Sequence, residues 1–109
     1  MRREIILAPE AKEDFKALKA TDRAAVRDAM EQHLRYEPTK TSRSRIKRLR
    51  GMRRPQYRLR VEEVRVFYDV TAEAVEVLAI VAKSKAAEWL QRHGEPEKAI
   101  AEERGETKS

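Results

Sequence analysis

The 109-residue chain contains no cysteine, only two histidines, three glycines and four prolines. Without cysteine there is no disulfide framework, no thiolate nucleophile and no cysteine-bound zinc, a composition that suits a reducing compartment. His33 and His93 lie far apart in the chain. No His/Asp/Glu group has ligand spacing, so no metal site is expected. No Gly-rich phosphate loop is present, and no cofactor is implied. Apolar residues never run for about 18 positions, so no membrane span is predicted. The opening Ile5-Ile6-Leu7 stretch is shorter than the apolar core of a signal peptide. These absences predict a cytoplasmic protein without metal or membrane contact. The length allows one domain with a small core.

A further absence is local. Between Glu37 and Glu62 there is no Asp or Glu, while Lys40, Arg43, Arg45, Lys47, Arg48, Arg50, Arg53, Arg54, Arg58 and Arg60 all fall there. Of 25 basic residues, 15 remain for the rest of the chain against all 19 acids, so the net charge of +6 originates in one segment. A soluble domain ordinarily intersperses both signs. Concentrated positive charge is the footprint of a polyanion partner, most often nucleic acid.

The apolar residues are periodic. Ile5, Ile6 and Leu7 read as a strand over residues 3–7, and Pro9 is suited to open a helix. Ala11, Phe15 and Leu18 share one face of a helix over 9–19. Thr21 is a fair N-cap for a second helix carrying Val26, Ala29, Met30, His33 and Leu34 on one face, ended by Pro38. Residues 39–56 read as mostly loop, with Leu49 and Met52 tucked inward. From Gln56 the period becomes two, giving strands over 57–61 and 64–70, then an apolar central strand over 75–81. Ala86, Ala87, Trp89 and Leu90 predict a short last helix closed near Gly94. The domain is placed at residues 1–94. Residues 95–109 form a charged tail expected to be loosely helical or disordered alone.

The hairpin around Glu62-Glu63 carries the sharpest inference. Its register places Arg60 opposite Arg65 with Arg58 nearby, all on one face. Tyr57, Leu59, Val66 and Tyr68 take the other face, toward the helices. Like charges directly opposed on a sheet are destabilising, so an anion is the expected occupant. Such a face could bind phosphate or assist its transfer. When an RNA 2′-hydroxyl attacks the adjacent phosphorus, guanidinium forks suit the developing phosphorane charge. Arginine is a poor proton carrier. Lysine shifts its pKa more readily when crowded by like charge, which brings Lys83 and Lys85 after the last strand into consideration. Their plainer reading is as surface lysines. His33 reads as a half-buried core residue and His93 as a cation at a helix C-terminus. Trp89 reads as a core anchor, with base stacking as the sharper alternative. Ser84 has no evident His–Asp partners.

Lys47-Arg48-Leu49-Arg50-Gly51 leads into Tyr57-Arg58-Leu59-Arg60, and Arg65-Val66-Phe67-Tyr68 follows. In this order and spacing, over roughly residues 3–90, the chain resembles the RelE/ParE toxins of bacterial toxin–antitoxin systems. The resemblance implies an α+β fold: an N-terminal strand beside the last strand, a helical hairpin packed on a twisted antiparallel sheet, and a short C-terminal helix. RelE-type toxins cut mRNA in the ribosomal A site. The positions matching their basic residues are Arg58, Arg60 and Arg65, with Lys83 or Lys85 at the C-terminal basic position. The family tyrosine is unmatched, since Ala87 or Gln91 stands there.

The resemblance thus implies a metal-independent, ribosome-dependent mRNA endoribonuclease that inhibits translation. Arg43, Arg45, Lys47, Arg48, Arg50, Arg53, Arg54 and Trp89 would contact RNA. The alternatives are a ParE-like, non-enzymatic inhibitor of DNA gyrase and a non-toxic RNA-binding relative. Either toxin implies an acidic antitoxin partner presenting an apolar helix.

Overall fold

The computed structural model describes residues 1–97. The expectation for the tail beyond residue 97 lies outside the described residues. Strand β1 (Glu4–Leu7) is followed by helices α1 (Pro9–Ala17) and α2 (Ala20–Leu34). Strands β2 (Ile46–Arg48), β3 (Met52–Arg54), β4 (Tyr57–Val61), β5 (Val64–Val70) and β6 (Ala74–Ala82) come next. A 3-10 turn (Lys83–Lys85), helix α3 (Ala86–His93) and strand β7 (Glu95–Pro96) complete the order. Five strands form one sheet in the order β1-β6-β5-β4-β2, and β3 pairs with β7 in a second, two-stranded sheet.

Pro9 stands at the start of α1, where its missing N–H costs nothing. Thr21 is not the cap of the second helix: Lys19 holds that position without a side-chain bond, and Thr21 sits within the first turn. The corner is fastened instead by Arg23, whose Nη1 donates to the Leu18 carbonyl at 2.6 Å and the Lys16 carbonyl at 3.3 Å. These occupy acceptors that the end of α1 would otherwise leave unpaired.

The segment expected to be mostly loop holds two short strands. β2 pairs antiparallel with β4, and β3 pairs with β7. The outer edge of β4 needs backbone partners, and β2 supplies them while burying only Ile46. Gly51, at φ 74, makes the sharp turn between β2 and β3.

The β4–β5 hairpin has the expected register, Tyr57 opposite Tyr68 through Val61 opposite Val64. β5 pairs antiparallel with β6, with Phe67 opposite Ala79 and Tyr68 opposite Val77, so Leu78 is the bulged residue. β1 pairs parallel to β6 as far as Val77. Beyond it Asp14 takes over the edge, its Oδ2 accepting the Ile80 N–H at 3.0 Å.

Both faces of the sheet are covered. On one, Ala11, Val26, Met30 and Leu34 of the helices meet Leu59, Val66, Tyr68, Val75, Val77 and Ile80. Tyr68 is fully buried and its hydroxyl donates to the Pro38 carbonyl at 2.6 Å. On the other face a smaller cluster joins Leu49, Phe67 and Ala79 to Met52, Val81, Ala86, Trp89 and Leu90. The Phe67 and Trp89 rings stack at 5.0 Å. Among the described residues no helix is long and apolar enough to cross a membrane.

The C-terminal segment closes tightly on this second cluster. A methyl group on Gly94 would run into the Met52 side chain and the Leu90 carbonyl. The Leu90 oxygen accepts the Gly94 N–H that ends α3 and has no freedom to yield. Gly94→Ala should therefore lower stability by about 1–3 kcal/mol, in the range of overpacked sites. Urea unfolding measures it, and an unchanged midpoint would contradict this close approach.

Candidate nucleic-acid interface

Alternation along β4 and β5 divides the hairpin into an apolar face and a cationic one. Arg58 stands opposite Phe67 and Arg60 opposite Arg65, on the side away from the helical hairpin. The three arginines occupy different surroundings. Arg60 is exposed, Arg58 is half-buried, and Arg65 is only 5% exposed. The expectation of an open arginine face is thus corrected at its centre. Arg65 lies on an inner strand, flanked in the ladder by Arg60 and Val81. Its Nη1 donates to the Glu62 carbonyl at 2.8 Å and the Val64 carbonyl at 3.0 Å.

No described carboxylate forms an ion pair with Arg58, Arg60 or Arg65. Glu63 is near enough to act on Arg65 but does not bond it. Burial pushes the Arg65 pKa below its ordinary value, and the charges of Arg58 and Arg60 push the same way. Arg58 Nε is buried without a hydrogen-bond partner. A buried charged donor left unpaired is expensive.

Lys83 and Lys85 are exposed in the 3-10 turn after β6. The Lys83 N–H donates to the Glu63 carbonyl at 2.7 Å, which ties that turn to the end of the hairpin where Arg65 sits.

The basic window divides. Arg43, Arg45, Lys47 and Arg50 are exposed, with no ion pair to a described carboxylate. Arg48 lies 5.3 Å over the Tyr57 ring and donates to the Leu49 and Gln56 carbonyls at 3.1 and 2.8 Å. Arg53 bonds Glu95 at 2.8 Å. Arg54 bonds Asp69 at 3.2 Å and Glu76 at 3.4 Å. Arg53 and Arg54, expected to contact RNA, are therefore already balanced by acids of this chain. Those acids lie far away in sequence, and the unpaired reading of residues 38–61 missed them.

Trp89 serves as a packing residue, with one ring face against Phe67 and His93 tilted near it at 5.5 Å. Base stacking on Trp89 would require displacing one of these. His93 lines a cleft of about 480 Å³ with Glu10, Asp14, Arg54 and Glu95. It is at the opposite end of α3 from Lys83 and Lys85 and does not join the arginines. Ala87 and Gln91, at the unmatched tyrosine position, are exposed. His33 is half-buried, and burial followed by the charge of Arg45 holds its pKa below the ordinary imidazole value. Among the described residues no group of acids and histidines could hold a metal ion.

The arrangement can grip a phosphate from several directions and stabilise negative charge that develops on it. It offers no evident proton carrier among the three arginines.

A helical hairpin packed on one face of a five-stranded, mostly antiparallel sheet defines a small α+β fold class. A sequence model described as ParE toxin of type II toxin-antitoxin system, parDE, matches residues 5–87. The chain belongs to this family and is a toxin of a type II toxin–antitoxin system. Its fold is similar to that in the archaeal RelE–RelB complex from Pyrococcus horikoshii OT3, at 20% identity and a TM-score of 0.59, over 78% of this chain and 99% of that one. The RelB–RelE antitoxin–toxin complex from Methanococcus jannaschii gives 16% identity and a TM-score of 0.59, over 77% and 96%. The E. coli DinJ–YafQ toxin–antitoxin complex gives 16% and 0.56, over 80% and 97%. These likenesses establish the RelE-like fold. No curated protein matches the sequence significantly.

Two outcomes follow from the geometry. Arg65→Ala strips a buried donor from two carbonyls and should cost about 1–3 kcal/mol. Arg60→Ala, on the surface, should change stability by no more than about 0.5 kcal/mol. Equal unfolding midpoints for the two variants would contradict the structural role of Arg65. For His33 the lowered pKa means that the unfolded chain binds its proton first as pH falls. Stability linked to His33 is complete above about pH 6.5 and declines below it. His33→Gln should flatten that part of the stability–pH curve. An unchanged slope would contradict the assignment.

Proposed function

We propose that this toxin is a ribosome-dependent mRNA endoribonuclease that arrests translation in the cytoplasm. The observation that carries the reading is the convergence of Arg58, Arg60 and Arg65 on one sheet face with no described carboxylate bonded to them. The reaction is internal transfer at phosphorus. The 2′-oxygen of a ribose attacks the adjacent phosphate, a 2′,3′-cyclic phosphate forms, and the 5′-oxygen leaves with a proton. Arg60 and Arg58 bind the scissile phosphate, and Arg65 adds its charge from beneath while holding the turn. Lys83 or Lys85 assists proton transfer. Arg43, Arg45, Lys47 and Arg50 are the cations of the window left to meet RNA, so association should be strongly salt-dependent. The RelE–RelB and DinJ–YafQ complexes support an antitoxin as the protein partner of this chain. An acidic segment of it would cover the cationic face.

Cleavage of mRNA on purified ribosomes tests this. The double variant Arg58→Ala/Arg60→Ala should cut at least about 100-fold more slowly, the scale for loss of charge stabilisation at a transition state. It should retain the wild-type unfolding midpoint within about 1 kcal/mol. Absence of cutting by the wild type would end the nuclease reading, and cutting by the double variant at the wild-type rate would remove Arg58 and Arg60 from it.

The match to a ParE toxin model favours a second reading, in which the chain resembles ParE toxins in inhibiting DNA gyrase without an enzymatic step. Induced expression separates the two. Translation arrest with mRNA cleavage is expected from the nuclease. DNA damage with filamentation would indicate the gyrase inhibitor, and harmless expression a non-toxic RNA-binding relative.

A further inference from the structure

The cationic face does not stop at β4. On β2, Lys47 stands opposite Arg58. One residue before β2, the Arg45 carbonyl accepts the Arg60 N–H at 2.9 Å, so the ladder reaches Arg45 as well. Ile46 between them is buried in the main core, which places Arg45 and Lys47 on the cationic side by alternation. A row Arg45–Arg60–Arg65 therefore crosses three strands, a span of about 10 Å at ordinary strand spacing. Lys47–Arg58 forms a second row beside it.

The two rows contain three directly opposed like-charge pairs, Arg45 with Arg60, Arg60 with Arg65 and Lys47 with Arg58. Each is destabilising without a counter-charge. Elsewhere the chain does supply one: Arg35 has Glu31, Arg53 has Glu95 and Arg54 has Asp69. None of these five cations has such a partner among the described residues. Outside the rows, residues 42–47 fold back to form a cleft of about 280 Å³ with Arg58 and Arg60. Ser42 Oγ accepts the Arg45 N–H at 3.0 Å, which leaves its hydroxyl proton available to a ligand. Arg58 and Arg60, assigned to the scissile phosphate, form one wall of this cleft, and Arg65 does not line it, so the cleft extends from that site toward β2. Arg58, whose Nε has no partner, lines it.

We propose that this cleft is a second phosphate subsite, in which Lys47 and Arg45 bind the backbone phosphate next to the scissile one on the same RNA strand. The inference rests on the nuclease reading and adds a second point of attachment to it. Arg60, in the middle of the longer row, serves both phosphates. Two anchored phosphates fix the strand's direction across the sheet, which one alone does not.

The test uses the full chain and a short single-stranded RNA protected from cutting by a 2′-O-methyl group at the target ribose. Each linkage in turn is replaced by a neutral methylphosphonate, and binding is followed by fluorescence anisotropy over a salt series. Lys47→Ala and Arg45→Ala should each weaken binding about three- to tenfold and lower the log K against log salt slope by about 0.7. A methylphosphonate at one linkage flanking the protected one should abolish the effect of Lys47→Ala. At the protected linkage it should leave that effect intact. The proposal is overturned if no flanking linkage couples to Lys47 or Arg45. It is equally overturned if the variants leave RNA binding unchanged and weaken only the complex with the antitoxin. If binding depends on Arg58 and Arg60 but on neither Lys47 nor Arg45, the subsite alone falls. If the wild type binds no RNA, the subsite falls, and the nuclease reading stands or falls on cleavage on purified ribosomes.

Discussion

The register of β4 against β5 is the constraint on which the rest depends. A slip of one residue would turn Leu59, Val66 and Tyr68 to the side of α3 and drive Arg58, Arg60 and Arg65 into the helical core. The two-residue turn at Glu62-Glu63 fixes that register, with Glu62 at φ 54, a left-handed conformation uncommon for glutamate. What holds it there comes from the cationic face itself. Arg65 reaches back to the Glu62 and Val64 carbonyls. One side chain thus fastens the turn that sorts the two faces and contributes charge to one of them. Fold and site are not separable at this position.

Placement of the acids is the second organising element. The chain's carboxylates are used to restrain arginines at the lower end of the sheet, where Asp69 and Glu76 take Arg54 and Glu95 takes Arg53. Glu95 lies on β7, and the Glu97 N–H donates to the Gly51 carbonyl, so the same contacts fasten the end of the described chain over β3. Asp69 is held with its pKa raised by burial, with the Gln56 N–H and Arg54 acting in opposition. At the other end Glu62 and Glu63 form the turn, but no described carboxylate makes an ion pair with Arg45, Lys47, Arg58 or Arg60. Positive charge therefore remains uncompensated over one contiguous area, and the field there exceeds what the net charge of +6 conveys.

Most of the main sheet and the helical core were legible because each rested on a repeated signal. Val64, Val66, Tyr68 and Val70 alternate with polar or second-core residues, and Val26, Ala29, Met30 and Leu34 recur at helical spacing. β2 and β3 were not legible. Each is three residues long and β2 buries a single side chain, so no period exists to detect. Their strand geometry is imposed by the exposed backbone of β4 and by β7, which are tertiary demands. The burial of Arg65 was hidden for a related reason. Alternation assigns a residue to a face, but whether that face is open depends on what covers it. Here a second small core grows on the cationic side from Leu49, Phe67, Ala79 and Trp89. The resemblance carried the family, and the hairpin register carried the arginine pairing. The pairing of Arg53 and Arg54 spans 42 and 22 residues and leaves no local trace.

The second core also explains where α3 can and cannot contribute. Its inward residues, Ala86, Trp89 and Leu90, are used in covering Phe67 and Val81. Ala87 and Gln91, where the family has a tyrosine, stand on the exposed side. His93 packs beside Trp89 and lines one cleft with Glu10 and Asp14 and another with Lys85. On the nuclease reading this leaves the arginines to orient the phosphate and stabilise its charge, while the proton moves through Lys83, Lys85, the His93 that shares a cleft with Lys85, or groups outside the chain. Only the lysines are tied to the hairpin, through the Lys83 N–H and the Glu63 carbonyl. A site that orients strongly but carries protons weakly should be slow on free RNA and fast only where its surroundings complete it. On the proposed reading, that division of labour would account for a requirement for the ribosome.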